Sequence, residues 1–290
     1  VTAVTPTIPA LWRAARPAML PLLLLLPVLG YGWAHWEARL AWRHEARLWL
    51  VLAAWTSLHA GTMWLNAMLD QDEDAVLFGH PAPLSTAARP LAIAALAVSV
   101  TLAAAADLLA SGAALGCAVL AGLYSHPATA WKGHPLAGPL VNAVGYGLLS
   151  PLAGWAVVDV PATATTLAVW PLLAVGLLAP TFAAQAFQAD ADAARGYRTL
   201  VVTHGPAATL RAARAALLLA LCWGSGLALL SVVPRLTLWA IPAWLLLFLL
   251  LRGPAVRFDA RAAQALVLGM GAAGALTCGL GVAALWLGAV

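Results

Sequence analysis

Trp64–His80, WLNAMLDQDEDAVLFGH, is the stretch on which the reading of this chain turns. It ends an apolar run that begins near residue 48 and then places Asp70, Asp72, Glu73 and Asp74 within five positions. The whole chain is only 9% charged, and these four are more than a third of its 11 acids. Crowded carboxylates repel one another unless positive charge sits among them. A hydrophobic helix that ends in such a cluster therefore points to a cation.

Outward from this stretch the composition is that of a membrane protein. The 290 residues are 63% hydrophobic, with mean hydropathy +0.89; soluble domains are roughly 45–50% apolar and about 25% charged. A spanning helix needs about 20 mostly apolar residues. Nine such runs are read near 17–34, 48–69, 90–109, 111–124, 136–157, 165–187, 207–231, 236–251 and 263–288. The expected fold is all-α and polytopic, with nine transmembrane helices in a single domain over 1–290. Continuous Leu- and Ala-rich runs exclude a transmembrane β-barrel, whose strands alternate in short segments. The N-terminal run after Arg13 and Arg16 shows no small-residue cleavage pattern and is read as a retained first span. Cys117, Cys222 and Cys278 stand alone in apolar runs, without metal-ligand spacing, and are read as packing residues. Basic loops beside a membrane account for the pI near 9.3 without a nucleic acid partner.

Alternating the spans from a cytoplasmic N-terminus puts eleven basic residues on that side and four on the other. The positive-inside rule favours this orientation. The cell membrane of a bacterium or archaeon is the expected location. His35–Arg47, HWEARLAWRHEAR, then falls on the opposite side as an interfacial turn anchored by Trp36 and Trp42.

His59, Met63, Asn66, Asp70 and Asp74 follow helical spacing and share one face of the second span. Oxygen ligands in that pattern suit Mg²⁺, which takes one or two carboxylates plus substrate phosphates and keeps several waters. An acidic stretch beside a span is by itself commonly a solvated loop. A second polar stripe, Thr181, Gln185, Gln188 and Asp192, runs along the sixth span toward the same face. Polar side chains are costly inside a membrane and turn toward a bundle interior or cavity, although hydrogen bonding between helices also satisfies glutamines. Arg89, Lys132, Arg195 and Arg198 surround both stripes in the sequence. Metal and cations together are what a diphosphate leaving group needs.

These motifs resemble the UbiA superfamily of intramembrane prenyltransferases. Asn66-Ala-Met-Leu-Asp70-Gln-Asp-Glu-Asp74 matches the family's NxxxDxxxD at all three positions, and Arg89-Pro90-Leu91 is similar to its RPL. Tyr124–Leu149, YSHPATAWKGHPLAGPLVNAVGYGLL, resembles the connection into the fifth span, with its basic residue at Lys132. Gln188-Ala-Asp-Ala-Asp192, followed by Arg195-Gly196-Tyr-Arg198-Thr199-Leu200, resembles the second motif, normally DxxxD. The likeness covers roughly residues 10–210. It implies nine helices around a central cavity open to the cytoplasmic side, and Mg²⁺ held by Asn66, Asp70, Asp74, Gln188 and Asp192. Asp70, Asp74 and Asp192 would be the catalytic carboxylates, with Arg89, Lys132, Arg195 and Arg198 on the diphosphate and Asn142 and Tyr146 lining the cavity.

The implied reaction ionises an allylic polyprenyl diphosphate to an allylic cation and passes the prenyl group to a lipophilic or aromatic acceptor within the membrane. Gln188 departs from the family's aspartate, and a neutral ligand weakens the second metal site. Asp190 cannot replace it on a regular helix, where two residues turn a side chain about 200°; the helix unwinds there, or one metal suffices, or activity is lost. A membrane terpene cyclase of the same fold and a non-catalytic isoprenoid-binding protein are the alternatives. A cation transporter should show spans broken near mid-membrane, whereas these carboxylates lie at span ends.

Overall fold

The computed structural model describes residues 6–70, 84–251 and 258–287, and for Asp70 the backbone. Asp72, Glu73 and Asp74 lie outside the described residues. Twelve helices follow in order: α1 (Ile8–Ala14), α2 (Leu20–Glu37), α3 (Ala46–Asp70), α4 (Arg89–Ala106), α5 (Leu108–Ser125), α6 (Ala137–Val144), α7 (Ser150–Ala156), α8 (Ala164–Gln185), α9 (Ala189–Ala194), α10 (Leu200–Leu229), α11 (Ile241–Leu250) and α12 (Ala260–Trp286). There is no strand among the described residues.

Among the described residues, seven helical stretches are long and apolar enough to cross a membrane: Pro17–Glu37, Ala46–Leu69, Thr86–Ala106, Leu108–Ser125, Ala164–Gln185, Leu200–Leu229 and Ala260–Trp286. The other two expected runs are irregular. In the fifth, α6 and α7 are joined by a π-helical turn at Gly145–Leu149. Pro151 has no N–H for the regular ladder and its ring crowds the carbonyl four residues back. The preceding turn widens, and the Ser150 hydroxyl donates to the Gly145 carbonyl at 2.8 Å. The eighth run starts as a 3₁₀ turn, Arg235–Ala240, before α11.

Several boundaries have local causes. Asp107 breaks the chain between α4 and α5 in an extended conformation, and its carboxylate accepts the N–H groups of Leu109 and Ala110 as an N-cap. Within α10 the backbone turns non-helical at Gly205 (φ 80°, ψ 167°), just before Pro206. Only glycine reaches that conformation without strain, and proline ends the preceding turn, so the long helix kinks there. The seven-residue α1 was not legible as an element of its own. It lies against α3, where the Trp64 indole donates to the Leu11 carbonyl at 2.8 Å.

The packing is that of a bundle in lipid. Alanines fill the interior between α3, α4, α5 and α7, among them Ala54, Ala103, Ala110, Ala114 and Ala153, all fully buried. Leucines such as Leu218, Leu219, Leu246 and Leu249 face outward. Small interior residues let backbones approach where the solvent is itself apolar. A second cluster unites α8, α10, α11 and α12. The two halves meet where α12 packs on α2 and where α6 packs on α8.

At the end where α2 finishes and α3 begins, His35 and Trp42 pack on Tyr31, whose hydroxyl donates to the Arg43 carbonyl at 2.6 Å. The expected tryptophan-anchored turn is thus an aromatic cluster folded back on α2. Arg47 lies at the same end, 3.4 Å from Asp107 and 2.5 Å from Asp159, and its Nε donates to the Ala106 carbonyl. It holds the Asp159 carboxyl below the usual carboxylate range.

Candidate functional site

The two motif-bearing segments converge at the opposite end of the bundle, where α3 and α8 finish and α4 and α10 begin. Leu84 returns the chain to the last turns of α3, its N–H donating to the Ala67 carbonyl at 3.4 Å. Asn66 is tied to α5, because the Ser125 hydroxyl donates to its Oδ1 at 2.9 Å. Asp70 is the last residue of α3, one turn beyond. Met68, Leu84 and Ala88 form a small buried cluster with Ala14 of α1, fixing where this end stands.

The second motif is not a continuous stripe. α8 stops at Gln185, Ala186 and Phe187 turn, and α9 starts at Ala189 with Gln188 as its N-cap residue. The helix therefore unwinds at the motif, which was one of the sequence alternatives. The break does not bring Asp190 in, however, since Asp190 is exposed while Asp192 is 7% exposed. Thr199 donates to Asp192 Oδ2 at 2.8 Å, and the Asp192 N–H donates to the Gln188 carbonyl at 2.8 Å. Gly196, at φ 73°, ends α9 in the left-handed conformation that glycine adopts without penalty. The chain then turns back so that the Tyr197 N–H reaches the Asp192 carbonyl at 2.9 Å.

The segment between α5 and α6 closes on this loop. The Arg198 N–H donates to the Gly133 carbonyl at 2.8 Å. Tyr197 lies so close over Gly133 that a β-carbon there would meet its ring at 2.6 Å. Lys132 Nζ is 5.6 Å from the centre of the Tyr197 ring, a cation–π contact. Burial and the neighbouring Arg195 push the Lys132 ammonium down to about 8, with Asp192 acting in the opposite direction. Tyr124, one residue before the Ser125 that holds Asn66, lies in the field of Asp192, Tyr146 and Tyr197 and hydrogen-bonds with Asn142. Asn66 is thus held by the residue next to Tyr124, and Tyr124 and Lys132 both lie in the field of Asp192.

The sequence-derived residues sort accordingly. Asn66, Lys132, Asn142, Tyr146, Asp192 and Arg195 come together; Gln188 sits at the helix break beside Asp192. Arg89, at the start of α4, and Arg198 are exposed at the same end. Asp74 lies outside the described residues. Ser150, although in register with Asn142 and Tyr146, turns away: it accepts the Trp55 indole N–H at 2.8 Å and is 1% exposed. Ser125, Thr199 and Gln185 carry more of the arrangement than their sequence positions suggested. The Gln185 Oε1 is buried and, among the described residues, without a hydrogen-bond partner, an oxygen at the very end of α8, where the break begins. Its i−3 spacing from Gln188 was the available signal. Among the described residues, no three His, Cys, Asp or Glu side chains come together as a metal cluster.

Lys132 is the sole lysine of the chain, which makes its titration directly measurable. An amine-reactive label followed by peptide mass spectrometry should show its reactivity rising through about pH 8. Inorganic diphosphate should move that midpoint upward, because a bound anion favours the charged amine. A midpoint above 10 without ligand would refute the buried placement.

The family model of the UbiA prenyltransferase family matches residues 18–266. Among solved structures, a UbiA homolog from Archaeoglobus fulgidus bound to DMAPP and Mg²⁺ superposes with a TM-score of 0.73 at 18% identity, covering 96% of this chain and 99% of that one. The same homolog bound to GPP and Mg²⁺ gives 0.72 at 19% identity, covering 96% and 99%. A UbiA homolog from Aeropyrum pernix K1 gives 0.64 at 18% identity, covering 88% and 97%. No curated protein sequence matches the chain. The fold and the family model agree, and the chain belongs to the UbiA prenyltransferase family.

Proposed function

We propose that the protein transfers a polyprenyl group from an allylic polyprenyl diphosphate to a lipophilic or aromatic acceptor inside the membrane, with Mg²⁺ as cofactor. The observation that carries this reading is the buried Asp192 set beside Lys132 and Arg195, at the helix end that carries Asn66 and Asp70. We propose further that nine spans surround a central cavity open to the cytoplasm, with the N-terminus on that side. The Archaeoglobus fulgidus homolog binds DMAPP or GPP together with Mg²⁺, and also Cd²⁺, which supports the metal and the donor class.

Asn66, Asp70, Asp74, Gln188 and Asp192 would hold the metal. The orphaned Gln185 oxygen and the buried Asp192 fit a cation better than they fit a dry helix contact, since a partnerless buried oxygen otherwise costs about 1–3 kcal/mol. When bound, Mg²⁺ supplies Lewis-acid stabilisation of the diphosphate oxygens. Lys132, Arg195, Arg89 and Arg198 neutralise the remaining charge as the C1–O bond breaks and its electron pair leaves with the diphosphate. Asn142, Tyr124 and Tyr146 line the wall next to this site, where an aromatic face shelters a cation. The acceptor's electron pair forms the new bond to C1, and its proton passes to the released diphosphate.

The test is diphosphate release from geranylgeranyl diphosphate by purified protein, with and without Mg²⁺, alongside Asp70→Ala and Gln188→Asp. Release should require Mg²⁺, fall at least about a hundredfold in Asp70→Ala, and be unchanged or faster in Gln188→Asp. A lipid extract in the assay would identify the acceptor by its prenylated product. Donor binding without release from any chain length would sink the transferase reading and identify Gln188 as the lesion.

A further inference from the structure

A cavity of about 680 Å³ lies away from the motif end. It opens at the opposite end of the bundle, where α2, α10 and α12 finish and α8 begins. Its walls include Trp33, Trp36, Glu37, Arg39, Ser231 and Arg235. Three features set it apart from an accidental gap.

The first is its charge. Two guanidinium groups and one carboxylate face the same cavity, yet no ion pair joins them among the described residues. Glu37 is engaged elsewhere: its carboxylate accepts the hydroxyls of Thr163, Thr165 and Thr166, the last at 2.7 Å. Those threonines cap the N-terminus of the 22-residue α8, whose positive dipole end offsets the Glu37 charge. Arg235 gives one hydrogen bond to the Leu229 carbonyl, and among the described residues the Arg39 side chain has no hydrogen bond or ion pair. Both arginines are exposed at the mouth, so the cavity presents uncompensated positive charge.

The second is its backbone. Arg39 (φ 54°) and Ser231 (φ 60°) are the left-handed residues just past the ends of α2 and α10, and both line this cavity. Each closes its helix with a backbone bond, Leu40 N–H to the His35 carbonyl at 2.8 Å and Val232 N–H to the Leu227 carbonyl at 2.9 Å, so the two helix ends are fixed at the cavity rim. The Trp36 indole donates to the Val232 carbonyl at 2.9 Å, bridging the two helix ends.

The third is its setting. Trp33 and Trp36 lie near the C-terminal end of the spanning helix α2, where amphipathic aromatic rings suit a membrane–water boundary, and Leu230, Leu236 and Ala284 add an apolar wall. A ligand with one anionic group and a long hydrocarbon matches that order of surfaces.

From these features we infer that the cavity binds a membrane phospholipid, with the phosphodiester between Arg39 and Arg235 and the acyl chain along Leu230, Leu236 and Ala284. Guanidinium groups suit phosphate oxygens through paired N–H donors. The site lies at the bundle end away from the prenyl-transfer motifs and is independent of them.

Purified protein in a neutral detergent is titrated with dioleoylphosphatidylglycerol, dioleoylglycerol and glycerol 3-phosphate, with bound adducts read by native mass spectrometry. The phospholipid should bind, and roughly thirtyfold more weakly in the R39Q/R235Q double variant, from about 1 kcal/mol per basic group near a membrane surface. R39K/R235K should fall between the parent and R39Q/R235Q, since charge is retained but the paired donors are lost. Dioleoylglycerol should bind no better to the parent than to the double variant. Unchanged phospholipid affinity in R39Q/R235Q would overturn the inference. Arginine-dependent binding of dioleoylglycerol would do the same, and glycerol 3-phosphate binding as tightly as the lipid would show a free-anion site instead.

Discussion

Gly30→Ala and Gly154→Ala, each made alone, should prevent the protein from accumulating in folded form. The two glycines form a reciprocal contact where α2 crosses α7. A β-carbon on Gly30 would lie 1.8 Å from the Pro151 carbonyl oxygen, and one on Gly154 would lie 1.8 Å from that of Pro27. Each glycine thus accepts the backbone of the partner helix at a proline, whose missing N–H already loosens its own helix. The obstacle is main chain, which cannot rotate aside as a leucine tip can. Overpacking in a close-packed interior costs typically 1–3 kcal/mol, and a clash with backbone on both sides of a crossing belongs at or above about 3 kcal/mol. A protein a few kcal/mol from unfolding does not survive that loss.

The comparison that isolates the crossing is Gly112→Ala in α5 and Gly279→Ala in α12. Nothing lies within 4 Å of a β-carbon at either position, and alanine is the better helix former by about 0.5–1 kcal/mol. Size-exclusion chromatography of detergent extracts, with thermal unfolding of the soluble fraction, reads both pairs. Parent-like elution and stability for Gly30→Ala and Gly154→Ala would mean that α2 and α7 do not cross so closely.

Asp192→Asn should have the largest effect on chemistry while leaving the fold intact. The carboxylate is 7% exposed and carries the Thr199 hydrogen bond; asparagine keeps the shape and an acceptor oxygen but removes the charge. If Asp192 helps hold the metal and its diphosphate, release should fall about 10³-fold, on the order of 4 kcal/mol of transition-state stabilisation. Thr199→Val removes one donor to the carboxylate and should cost only a few-fold. A second readout needs no substrate. Asp192 favours the charged form of Lys132, so its loss should move the Lys132 labelling midpoint below about 8. Above that midpoint the amine is neutral and below it charged, so Asp192→Asn shifts the onset of labelling to lower pH. Full release activity in Asp192→Asn would remove Asp192 from the catalytic set, whereas an unmoved Lys132 midpoint would separate the two residues in space.

Much of this protein was legible in its sequence because the lipid phase imposes a local rule. Every apolar run long enough to span must satisfy its backbone within itself, so hydropathy alone locates helices. The helices α3, α4, α5, α8, α10 and α12 lie within a few residues of the expected runs, apart from the early start of α10 before its kink. The spacing of Asn66 and Asp70, and of Gln188 and Asp192, was equally local, and with the basic residues it carried the family likeness that the family model bears out.

Tertiary structure decided what depends on neighbours distant in the chain. No period in the sequence shows that α8 ends at Gln185, that Asp192 is buried by Thr199 while Asp190 faces out, or that Tyr197 settles on Gly133. Nor does it show that Ser150 leaves the Asn142 face to meet Trp55. Arg39 and Arg235 are nearly two hundred residues apart, and each alone reads as an ordinary charge beside a membrane. Only the packing of α2, α8, α10 and α12 puts both at one cavity. Hydrophobic periodicity records which face of a segment is buried, but the partner that buries it is chosen by the fold as a whole.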